Sequence, residues 1–89
     1  MSKVTKSLTV VNKLGIHARP AAVFAKTANK FKADVFVEKD GETINAKSIM
    51  SILMLAATKN SLITVVVEGE DAGETMEKIV SAFENKFGE

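Results

Sequence analysis

The sequence has no cysteine, so no disulfide, thiolate metal site or thiol nucleophile can be part of its chemistry. A reducing cytoplasm suits such a chain. Tryptophan and tyrosine are also missing, which leaves five phenylalanines as the only rings a base-stacking surface could use. Charge of one sign is scarce: Lys and Arg total 12 against 11 Asp and Glu, a net charge of +1, and the lysines are scattered rather than massed. Direct nucleic-acid binding is therefore not expected. No apolar run approaches the ~18 residues of a membrane span, and Lys3 and Lys6 are not followed by the apolar stretch of a secretory signal. The single histidine has no carboxylates at ligand spacing, so no protein-held metal is expected.

What remains is ordinary for a globular protein, with 46% apolar and 26% charged residues in 89. A chain of that length cannot divide its apolar surface between two cores, which predicts one domain over 1–89. Val4 to Val11 alternates as a strand, with Lys6 on its apolar side as fits an edge position or a fraying start. Ala21, Phe24, Ala25, Ala28 and Phe31 recur at helical spacing. Ala33–Lys39 and Thr43–Ala46 read as strands joined by an Asp-Gly hairpin turn at Asp40-Gly41. A short helix follows Ser48, a turn falls at Lys59-Asn60-Ser61, and Leu62–Glu68 has the β-branched content of a central strand, with Ile63, Val65 and Val67 sharing a face. The last helix carries Met76, Ile79, Val80, Phe83 and Phe87, and Gly88 fits its stop. The order β-α-β-β-α-β-α predicts an α+β fold, a four-stranded antiparallel sheet with helices on one face. Periodicity leaves the strand order open.

The most informative stretch is Gly15-Ile16-His17-Ala18-Arg19-Pro20-Ala21-Ala22. It sets the only histidine directly before a helix start, where unpaired N–H groups and the helix dipole gather anions. Pro20 suits a first helical turn because its missing N–H would have no partner there. The dipole disfavours imidazolium, so a neutral His17 with a free lone pair is expected. Arg19 adds a planar donor fork for phosphate oxygens. On residues alone, a histidine that merely decorates a helix start remains the alternative.

A second stretch, Asn45-Ala46-Lys47-Ser48-Ile49-Met50, opens a helix that is apolar almost all the way round through Ala57. Ile52, Leu55 and Ala56 have core spacing, while Ile49, Met50 and Leu53 point elsewhere. That second stripe is either further core or an exposed docking patch in which Met adapts to several surfaces. Ser48 is a natural N-cap. A phosphate on it would add charge at the edge of that patch.

Both stretches, at this spacing and over Lys3 to Phe87, resemble the two signatures of HPr, the histidine-containing phosphocarrier of the bacterial phosphoenolpyruvate-dependent sugar phosphotransferase system. The resemblance implies an HPr-like open-faced β-sandwich with strand order 1-4-2-3 and three helices on one face. It implies a stoichiometric carrier rather than an enzyme, with no cofactor, acting as a cytoplasmic monomer. His17 would take a phosphoryl group from phospho-Enzyme I through Nδ1 and pass it to sugar-specific IIA domains, with Arg19 stabilising the moving charge. Ile49, Met50 and Leu53 would lie beside the histidine and contact both partners, and a serine kinase and phosphatase could act on Ser48. Ser51 and Asn60 depart from the glycines frequent in the family at those positions. The rivals are a paralogue in a nitrogen-related phosphotransfer chain and a small non-catalytic interaction domain. Regulatory relatives that have lost transfer lack the active histidine, and His17 is present.

Overall fold

A computed structural model describes residues 2–89. They form β1 (Ser2–Thr9), α1 (Ala18–Asn29), β2 (Asp34–Lys39), β3 (Glu42–Asn45), α2 (Ile49–Leu55), β4 (Leu62–Gly69) and α3 (Ala72–Glu84), followed by a 3-10 turn, Lys86–Gly88. The four strands make one sheet in the order β1-β4-β2-β3, and every pairing is antiparallel. This is the α+β, 1-4-2-3 arrangement that the resemblance implied.

The period-two pattern of β4 accounts for its central place. Ile63, Val65 and Val67 are buried on the helix side, each opposite a β1 partner: Leu8, Lys6 and Val4. β1 is an edge strand, so Lys6 remains exposed on the core-facing side, where an inward charge discourages further strand pairing. The β2–β3 hairpin turns through Asp40 and Gly41 with φ of 51° and 82°, the two left-handed residues that match the twist of a two-residue turn. α3 packs on β1 and β4, α2 on β3, and α1 against both helices.

Several boundaries differ from the sequence expectation, each for a local reason. β1 stops at Thr9 because Val10 turns to exchange backbone bonds with Asn60 and Ser61. α1 ends at Asn29, and Phe31 is only half-buried. Ala56 is exposed, since it is the left-handed residue that ends α2, with φ 55° and ψ 44°. Asn60 has φ 72°, which explains how asparagine replaces glycine in that turn: its short polar side chain tolerates the left-handed region. Phe87 is core but not helical. Lys86 and Phe87 take φ of 52° and 53°, reversing the chain so that the Phe87 ring lies 5.7 Å from Phe24 and 4.7 Å from Phe83. Each such aromatic pair contributes about 0.5–1.5 kcal/mol beyond burial.

Candidate functional site

α1 begins without a capping side chain. His17 is its N-cap, with extended backbone and no side-chain bond to the helix, and its carbonyl accepts the first helical bond from Ala21 N–H at 2.9 Å. Ahead of that bond, Ala18 and Arg19 have N–H groups with no backbone partner among the described residues, and Pro20 has none to offer. This leaves an open, positively polarised end.

Gly15 makes the approach possible. Its φ is 71°, and a Cβ there would stand 2.5 Å from the Ala57 carbonyl oxygen. That oxygen accepts the Ile16 N–H at 2.9 Å, which fixes the loop against the residue that follows the end of α2. His17 is thus presented by two backbone constraints, with 37% of its side chain exposed. Arg19 is exposed and forms no ion pair among the described residues, so its donor fork is free.

The structure adds a partner that the sequence did not reveal. The left-handed turn after α3 carries Glu89 back onto the site, where one carboxylate oxygen lies 2.8 Å from His17 Nε2. Its other oxygen accepts from Asn12 Nδ2 at 2.6 Å, and Asn12 also donates to the Lys86 carbonyl at 2.8 Å. Asn12 is 2% exposed. The Asn12 amide, with help from the charges of His17 and Arg19, holds the Glu89 carboxyl below its ordinary value of 4.5. Beside this cluster lies a groove of about 450 Å³ whose walls include Lys13, Leu14, Lys59 and Lys86. Only tertiary folding joins residue 12 to residue 89, so no local motif announced it.

Ser48 caps α2 as expected: its Oγ accepts the Ser51 N–H at 3.2 Å. Its place relative to His17 is set by α1. Asn29, at the far end of α1, donates to the Lys47 carbonyl at 3.0 Å, and Lys47 Nζ donates to the Phe31 carbonyl at 2.9 Å. Ser48 is therefore anchored at one end of α1 and His17 at the other, about 18 Å of helix apart. The second apolar stripe of α2 is divided by packing. Ile49 and Met50 are exposed, at 45% and 67%, whereas Leu53 is half-buried against the core. Met54 lies three positions before Ala57, and Leu14 lies three positions before His17; both are 75% exposed. Neither was singled out from the sequence, because Met54 falls on no single stripe of an all-round apolar helix and Leu14 sits in a loop.

The family model described as PTS HPr component phosphorylation site matches residues 4–85. The chain belongs to the HPr family. It is 48% identical to the phosphocarrier protein HPr from Bacillus anthracis, whose crystal structure superposes with a TM-score of 0.87 over 93% of this chain and 99% of that one. HPr-C-His from Thermoanaerobacter tengcongensis gives 0.90 at 44% identity, over 100% and 98%. The HPr-like protein Crh of Halalkalibacterium halodurans is 45% identical over 93% of this chain and 99% of its own length. A phosphocarrier role in the phosphotransferase system is general to the HPr proteins among these relatives, and it is a carrier role. Among the described residues, no helix is long and apolar enough to cross a membrane, and no three His, Cys, Asp or Glu side chains group as metal ligands.

Proposed function

We propose that this HPr domain, one folded unit over 1–89, accepts a phosphoryl group on His17 from phospho-Enzyme I and gives it up to the IIA domains of sugar permeases. The observation that carries the reading is the half-exposed His17 imidazole at an uncapped helix start, with the free N–H groups of Ala18 and Arg19 beside it. Charge spreading over the equatorial phosphoryl oxygens as the group passes is met there by backbone dipoles and the Arg19 guanidinium. Both partners need the same nitrogen in turn, which an exposed residue at the edge of the domain allows. The carrier acts as a cytoplasmic monomer.

Partner contact falls to the exposed side chains of α2, Ile49 and Met50, with Leu53 at their inner margin. Ser48 caps α2, and a phosphate placed on it by a serine kinase, and removed by a phosphatase, would act on docking rather than on the phosphoryl site. Its anchoring at the far end of α1 supports that division. The presence of His17 favours the carrier over a purely regulatory relative.

Incubation with Enzyme I and labelled phosphoenolpyruvate tests the assignment. The wild-type chain should take up one acid-labile label, and His17→Ala should take up none while melting within about 1 kcal/mol of wild type. Label on His17→Ala, or acid-stable label on the wild type, rejects the reading.

A further inference from the structure

The Glu89 carboxylate engages both of its oxygens, one with the buried amide of Asn12 and one with His17 Nε2. A 2.8 Å contact between a ring nitrogen and a carboxylate oxygen requires a proton between them. Glu89 is ionised near neutral pH, so that proton resides on Nε2, and in the neutral ring the lone pair is then on Nδ1. We propose that Glu89, held by Asn12, is a positioning residue for phosphoryl transfer: it fixes the tautomer and orientation of His17 so that Nδ1 is the nucleophile. The inference rests on the carrier reading above and assigns it a residue that neither signature motif contains.

The chemistry balances without any proton leaving the ring. The Nδ1 lone pair forms the new N–P bond while the donor N–P bond breaks and its electron pair returns to the donor imidazole. The Nε2 proton stays where it is. The phosphorylated ring becomes cationic, and Glu89 is already in place to stabilise that charge. Such a carboxylate also repels an incoming phosphoryl group. The facing charges answer this: Arg19 at the helix start and Lys13, Lys59 and Lys86 on the groove walls surround the single acid. The turn that delivers Glu89 is fastened independently by Phe87 in the core, so the carboxylate arrives with little freedom left to lose.

His17 is the only histidine, so its ring nitrogens can be read by nitrogen-15 NMR without assignment ambiguity. In the unphosphorylated wild type with a neutral ring, Nε2 should carry the proton and Nδ1 should be bare. Glu89→Ala should populate the second tautomer and slow acceptance of label from phospho-Enzyme I by on the order of three- to tenfold. Glu89→Gln has one carbonyl oxygen for two donors and should fall between. If Glu89→Ala lowers the melting temperature but leaves both ring signals and rate unchanged, the Asn12–Glu89 bond only fastens the chain and the proposal fails. Faster transfer in Glu89→Ala also overturns it, since Glu89 would then obstruct. A wild-type chain that takes no label rejects the carrier reading instead, and the ring signals still report whether Glu89 sets the tautomer.

Discussion

The N-termini of α1 and α2 start from the same problem, unpaired backbone N–H groups, and solve it in opposite ways. At α2 the Ser48 hydroxyl accepts from Ser51, the third helical residue, so the end is closed by its own chain. At α1 the third helical residue is Pro20, which has no N–H, and the N-cap His17 gives the helix no side-chain bond. The donor that a cap most often takes is therefore absent, and those that remain, on Ala18 and Arg19, have no backbone partner among the described residues. A helix start left open is a cost to stability of roughly 1 kcal/mol relative to a capped one. On the carrier reading, the anion site at α1 is built by withholding a cap as well as by adding charge.

The comparison can be broken most severely at Gly15. A methyl group there meets the Ala57 carbonyl at 2.5 Å with φ at 71°, so Gly15→Ala should cost about 2–4 kcal/mol in urea unfolding and impair phosphoryl acceptance by displacing His17. Normal stability with normal transfer would mean that the loop is not what presents the imidazole. Next comes the division between chemistry and docking. Met50 is 67% exposed, and Met50→Glu should weaken Enzyme I binding by about 1–3 kcal/mol in a calorimetric titration, with much less change in melting temperature. A collapse in melting temperature at unchanged affinity would return the residue to the core.

Removing the closed end is a smaller perturbation. Ser48→Ala should lower stability by about 1 kcal/mol and leave the rate of label uptake on His17 unchanged, because α1 separates the two residues. A matching fall in transfer rate would show that the two helix starts are not independent.

The smallest effect concerns the third helix start. Asp71 is the N-cap of α3 but turns its carboxylate away from the helix, accepting N–H bonds from Lys32 at 3.0 Å and Ala33 at 2.8 Å. Those bonds, the one from Lys32 foremost, hold its carboxyl below the ordinary 3.8. A carboxyl depressed in the folded state adds stability that is complete above its unfolded value and is lost as pH falls through the folded one. Melting followed from pH 7 down to pH 2 should decline below about pH 4, and Asp71→Asn should flatten part of that decline. Identical profiles for the two proteins would remove Asp71 from the acid response.

Elements whose identity depends on neighbours in sequence were legible in the chain. The hairpin at Asp40-Gly41, the alternation of β4, the Ser48 cap and the His17-Arg19-Pro20 helix start are all local patterns. Their outcome follows from backbone sterics and side-chain reach over a few residues. Strand order came with the resemblance rather than the period, since antiparallel registers with the same alternation satisfy several topologies.

Tertiary structure alone decided the rest. Leu53 and Met54 are adjacent apolar residues in an all-round apolar helix, and only the packing of α2 against α1 and the sheet leaves the first half-buried and the second exposed. Phe87 keeps the helical spacing of Phe83 yet reaches the core through two left-handed residues, a reversal stabilised by the Phe24 and Phe83 rings rather than by any turn motif. That reversal brings Glu89 to His17, and to Asn12 across 77 residues of separation. A contact of that kind has no signature in sequence, because it is fixed by the closing of the whole core and not by the chemistry of either neighbourhood.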